Sequence, residues 1–125
     1  MSRPENERNS SDVEAMTITY EDFRKVEMRV GRVVRVEEFP KARKPAYRLW
    51  IDFGELGVRQ SSAQITAHYE PAGLVGRLVL AVTNFPPRQI ADFMSEVLVL
   101  GVPDVDGEVV LIRPDLEVEP GGRVY

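Results

Sequence analysis

Between Tyr47 and Phe53 apolar and polar residues alternate without a break. Tyr47, Leu49, Ile51 and Phe53 would share one face of an extended segment, and Arg48, Trp50 and Asp52 the other. A period of two predicts a half-buried β-strand. Arg29 to Phe39 carry a looser version of the pattern, with Val30, Val34 and Val36 predicted on one face and Gly31 marking a bulge or bend. Gly54 to Gly57 read as a hairpin turn into a return strand over Val58 to Ser62. Arg77 to Thr83 predict a further strand with Leu78, Leu80 and Val82 inward. Glu96 to Leu100 and Glu108 to Ile112 predict two more around an acidic loop. Pro120-Gly121-Gly122 predicts a turn before a short terminal strand, Arg123 to Tyr125.

The helical signals are short. Thr19 can cap a helix start, and Asp22 stands three residues on, close to a capping box, so a helix is predicted to about Val26. Ala63 to Tyr69 predict a second short helix that stops before Pro71. Asn84-Phe85-Pro86-Pro87-Arg88 predicts an irregular loop, because adjacent prolines permit little else. The resulting order is three strands, a short helix, a strand, a loop and a strand. It predicts an all-β, five-stranded OB-fold barrel with short helices and N- and C-terminal extensions.

Residues 1–16 are rich in Ser, Asn and Glu and nearly free of large apolar groups. A segment of that kind cannot repay the entropy of ordering, so a disordered polar tail is predicted there, with a single folded domain over 17–125. The chain has no cysteine, which excludes disulfides, thiolate metal sites and cysteine nucleophiles. No apolar run approaches the ~20 residues that span a bilayer, and residues 1–16 lack a signal-peptide pattern. A cytoplasmic location is therefore expected. His68 is the only histidine, so no metal site is predicted. No Ser-His-acid pattern and no phosphate loop can be recognised. No catalytic residue and no cofactor are expected.

Charge adds a polarity that the bulk value conceals. The net charge is −4. Residues 17–48 nonetheless hold nine bases against five acids, a local +4, while 49–125 hold five bases against eleven acids. A local positive region attracts phosphate despite a negative total.

Six stretches keep the order and spacing of a known family. They are Met28-Arg29-Val30-Gly31-Arg32-Val33, Glu37-Glu38-Phe39-Pro40-Lys41-Ala42-Arg43, Ile51-Asp52-Phe53-Gly54, Gln60-Ser61-Ser62-Ala63-Gln64-Ile65-Thr66, Asn84-Phe85-Pro86-Pro87-Arg88 and Ser95-Glu96-Val97-Leu98-Val99-Leu100-Gly101. Together they resemble the tRNA-binding domain found at the ends of some aminoacyl-tRNA synthetases and in free-standing dimers. Within that family they look most like the CsaA branch of bacterial secretion chaperones. Ser61-Ser62-Ala63-Gln64 and Ser95-Glu96-Val97 depart from the synthetase-type pattern and point to that branch. The resemblance implies an OB-fold homodimer that binds tRNA by shape. It also implies chaperone-like contact with exported preproteins and the export machinery. A third reading is a subunit or adaptor that docks on a protein partner through Trp50 or the acidic loop Asp104 to Glu108, without physiological tRNA binding.

The residues proposed for nucleic-acid binding begin with Lys41, Arg43 and Lys44 in the first loop and Arg48 on the outward face of the second strand. There they would neutralise phosphates, or else form a solvated charged loop. Gln60, Ser61 and Ser62 offer neutral hydrogen-bonding groups, as do Asn84, with Arg88 beside it, and Ser95; all could fix register on phosphate and sugar, or satisfy turns locally. Trp50 could stack a base or bury itself in an interface. Phe85, Phe93 and Met94 could line a peptide groove or belong to core or dimer contacts.

Overall fold

The computed structural model describes residues 16–125. All but the last residue of the predicted disordered tail, 1–16, lies outside them. Helix α1, Tyr20–Arg24, starts as the sequence predicts: Thr19 Oγ1 accepts from Asp22 N at 3.0 Å, and Asp22 Oδ2 accepts from Thr19 N at 3.1 Å. It ends slightly before the predicted limit.

Strand β1 runs Met28–Glu38, β2 Tyr47–Asp52, β3 Val58–Ala63, β4 Leu78–Val82 and, further on, β7 Leu98–Val99. They form one antiparallel sheet in the order β3-β2-β1-β4-β7, the nearly closed barrel of an OB-fold. The long β1 makes the curvature. Its first half pairs with β4, from Met28↔Val82 to Arg32↔Leu78, and its second with β2, from Arg32↔Asp52 to Glu38↔Tyr47. Residues 121–124 run along the β1 edge that β2 leaves open: Val30 N donates to Gly122 O at 2.9 Å, and Val124 N to Met28 O at 2.8 Å.

The inward face of β2 is the predicted one, with Tyr47, Leu49, Ile51 and Phe53 all in the core. The Tyr47 hydroxyl donates to Tyr69 O at 2.8 Å, and burial pushes its pKa up. The inward face of β1 is the predicted one at Val36, which packs against the core, but not at Val34. A register shift between Val33 and Arg35 puts two successive non-core residues, Val34 and Arg35, between inward positions. Val33 is 1% exposed and Val34 45%. Gly31 also faces inward, and the bulge lies beyond it. A Cβ at Gly31 would stand 2.5 Å from Ile51 Cγ2 and 2.7 Å from Phe53 Cε1, so only glycine lets β1 cross β2 this closely.

Two further expectations are corrected. Residues 64–70 form a turn rather than a helix; the helix is α2, Pro71–Leu74, and Pro71 begins it. Proline lacks an N–H that the first turn does not need, so it starts a helix more readily than its position after a turn suggests. Leu74 plugs the barrel and is fully buried. In β4, Val79 and Ala81 line the core, because they pair with Gly31 and Arg29 on the inward side of β1. Leu78 and Val82 are buried on the opposite face, and Leu80 is half-buried.

Between β4 and β7 lies a hairpin absent from the predicted set: β5, Arg88–Ile90, and β6, Phe93–Ser95. The segment predicted as one strand over Glu96 to Leu100 is shorter, and β8, Gly101–Pro103, then pairs with β9, Val109–Leu111, around the acidic loop. The barrel closes partly through side chains. Glu96 N donates to Gln60 O at 2.8 Å, Gln60 N to Glu96 Oε1 at 2.9 Å, and Ser62 N to Ser95 Oγ at 3.0 Å. A second small core, Phe39, Ala46 and Phe93 with Trp50 and Ile90 against it, fixes the β5–β6 hairpin to the β1–β2 loop. No helix among the described residues is long and apolar enough to cross a membrane.

Candidate nucleic-acid interface

The register of the barrel sets the outer face of β1, β2 and β3 in cross-strand rows. One row is Arg35, Trp50 and Gln60; the next is Glu37, Arg48 and Ser62. In the first, the Arg35 guanidinium lies 4.5 Å from the Trp50 ring centroid, and Trp50 Nε1 donates to Gln60 Oε1 at 3.2 Å. Phe93 meets Trp50 edge-on at 5.9 Å. Trp50 is thus half-buried and covered by its own neighbours. In the second row, Arg48 Nη2 donates to Glu38 O at 2.8 Å and lies 3.3 Å from Glu37 Oε1, with its guanidinium 5.2 Å from the Phe39 ring centroid. Glu37 also pairs with Arg35.

The β1–β2 loop carries the other predicted cations. Lys41 Nζ contacts Asp92 Oδ2 at 2.8 Å, and this bond holds the Asp92 carboxyl below the ordinary carboxylate range. Arg43 and Lys44 are exposed and show no ion pair among the described residues. Arg88, the first residue of β5, is exposed as well, also with no ion pair among the described residues.

The nine bases of residues 17–48 do not form one open patch. Lys25 pairs with Asp22, Arg29 with Glu27 at 2.7 Å and Arg32 with Glu117; Arg35, Lys41 and Arg48 have the partners given above. Arg24 sits 5.9 Å from the Tyr20 ring. Among the described residues, Arg43 and Lys44 are the two of the nine with neither an ion pair nor a ring contact.

An apolar groove of about 590 Å³ runs between β3, the 84–88 loop, the β5–β6 hairpin and β7. Ile65, Phe85, Ile90, Leu98 and Val99 line it, with Ser62, Arg88, Ser95 and Glu96 among its polar groups. Phe85 is half exposed there. Met94 is exposed nearby, on the strand whose carbonyl accepts from Gln60 Nε2 at 2.8 Å.

Several predicted binding residues have structural work instead. Ser61 is 0% exposed and its hydroxyl donates weakly to Ser62 O at 3.3 Å, so it offers nothing to a ligand. Phe93 is 7% exposed and belongs to the second core rather than to the groove. Gln60 and Ser95 close the barrel. Asn84 uses both ends of its amide on the chain: Oδ1 accepts from Glu27 N at 3.0 Å and Nδ2 donates to Lys25 O at 2.8 Å. Sequence reasoning missed Ile90 and the carboxylates Glu37 and Asp92. Glu37 alternates with Arg35 on one face and so carried a local signal; Asp92 meets Lys41 across 51 residues and carried none.

The family model described as "Putative tRNA binding domain" matches residues 28–123. The crystal structure of the chaperone CsaA from Bacillus anthracis superposes with a TM-score of 0.81 at 52% identity, covering 87% of this chain and 99% of that one. The CsaA chaperone protein of Picrophilus torridus gives 0.82 at 50%, covering 87% and 100%. The methionine–tRNA ligase of Porphyromonas gingivalis is 43% identical over 110 residues, which is 88% of this chain and 16% of the ligase. The chain therefore spans about one sixth of the length of that relative.

Proposed function

The chain belongs to the tRNA-binding-domain family, and we propose that it is a non-catalytic binding protein that grips structured RNA, tRNA above all, through residues 17–125. The family match over residues 28–123 carries this reading. The open cations Arg43, Lys44 and Arg88 supply the points where phosphates would be met. Recognition is of backbone and shape, because A-form RNA hides its base edges from side chains. A homodimer would present two such surfaces to one folded RNA. The test is a salt titration of tRNA binding, with sedimentation of the free protein for the dimer. Affinity falls steeply with salt if phosphate neutralisation dominates; no binding at low salt overturns the reading.

A second reading has its own support. The apolar groove beside Phe85 and the likeness to two CsaA chaperones favour capture of unfolded, exported preproteins in the cytoplasm. Suppressed aggregation of an unfolded client, and its loss in Phe85→Ser, tests it. Protection of no client, even with the protein in excess, removes it. An adaptor docking through Trp50 or the acidic loop Asp104 to Glu108, without RNA, is the remaining alternative; pull-downs with and without nuclease separate it from the first reading.

A further inference from the structure

The Lys41–Asp92 pair is placed by three separate features. Ala91, at the tip of the β5–β6 hairpin, has φ of 54°, the left-handed region that a residue with a Cβ rarely occupies. Gln89 Nε2 braces it by donating to Ala91 O at 3.1 Å. Phe93, next after Asp92, meets Phe39 edge-on at 5.5 Å, and Phe39 begins the loop that bears Lys41. The second core thereby fixes the hairpin tip against the loop, and the strained residue turns Asp92 toward the lysine. The pair itself is open to water, 70% exposed at Lys41 and 55% at Asp92. Ion pairs so exposed contribute little to stability.

We propose that Asp92 is a tethered counterion for Lys41, one that an RNA phosphate must displace, and so an affinity-setting residue of the interface. The proposal rests on the RNA-binding reading above. A free lysine on a nucleic-acid surface gains from binding because mobile ions leave the nucleic acid as it docks. Lys41 instead carries a carboxylate that cannot diffuse away. A phosphate reaching Lys41 exchanges one anion for another and then faces the displaced Asp92 charge beside it. The bond to Lys41 holds the Asp92 carboxyl low, so the competing charge persists across the neutral range. Glu37 does the same for Arg35 and Arg48 on the barrel face. Arg43 and Lys44 have no such partner among the described residues and dock first. Asp92 therefore restrains binding at the loop cation it pairs with.

Asp92→Asn tests this on the full chain, because asparagine keeps the shape and the turn preference of aspartate while removing its charge. Binding to tRNA is measured from low to moderate salt for wild type, Asp92→Asn, Lys41→Ala and the double variant. The expected result is affinity raised about two- to fivefold at low salt in Asp92→Asn, the range set by exposed charge pairs. The slope of log affinity against log salt steepens by about 0.7–0.9, as one further neutralised phosphate releases its ion. That steepening is absent from the Lys41→Ala background. If wild type binds and Asp92→Asn, folded by circular dichroism, binds no more tightly, this proposal is overturned alone. A pair that merely holds the loop in place gives weaker binding in Asp92→Asn, which also overturns it. Wild type that binds no tRNA overturns the parent reading and this proposal together.

Discussion

Trp50 and Gln60 face each other across β2 and β3, and the indole N–H donates to the Gln60 amide oxygen at 3.2 Å. The other end of that amide donates to Met94 O at 2.8 Å, so one side chain ties the barrel face to the β5–β6 hairpin. Gln60→Ala leaves a partly buried indole N–H and a strand carbonyl without partners. A loss of about 1–3 kcal/mol is expected in denaturant unfolding. An unchanged midpoint would show that water replaces both bonds.

Gly31→Ala places a methyl group against Ile51 and Phe53 at the centre of the barrel. Both are fully buried and neither is the free end of a flexible chain. Overpacking of this kind costs about 1–3 kcal/mol. Thermal unfolding reads it directly, and a neutral substitution would mean that β1 and β2 cross less closely.

Val33→Ala and Val34→Ala test the bulge as a pair. Val33 is buried in the barrel core and Val34 points to solvent. The first is expected to cost roughly 2 kcal/mol as a buried truncation, the second no more than about 0.5 kcal/mol. Equal losses, measured by the same unfolding experiment, would place the register shift elsewhere.

The Glu27 carboxylate accepts from Arg29 Nε at 2.7 Å and from Thr83 Oγ1 at 2.9 Å, and the Arg29 bond holds its pKa low, with Thr83 adding. A carboxyl lowered on folding adds stability above its unfolded pKa and loses it as pH falls through the folded value. Wild type should exceed Glu27→Gln by about 1 kcal/mol at neutral pH. The gap should close only on the acid side of about pH 4 to 5. A gap that persists at low pH would assign the effect to packing.

Arg43→Ala with Lys44→Ala removes the two open loop cations. Weaker tRNA binding is expected, with the salt slope falling by about 0.7–0.9 for each phosphate no longer neutralised. Circular dichroism and unfolding should not change, because neither side chain has an ion-pair partner among the described residues. An unaltered slope would move the RNA to another face.

What the sequence by itself determined was local. The alternation from Tyr47 to Phe53 named the inward face of β2, Thr19 and Asp22 named the start of α1, and the strand order named the barrel. Each depends on neighbours a few residues apart, whose spacing the chain states outright. Tertiary structure decided the phase of β1, because a bulge resets alternation without changing composition. It decided β4 as well, where both faces are covered and pattern alone cannot choose between Val79 and Leu80. It also decided the charge of the candidate surface. Nine bases read as one positive region along the chain, but Asp92 and Glu117 come from far away to meet Lys41 and Arg32. Coulomb energy depends on distance in space, and only the closed barrel sets that distance.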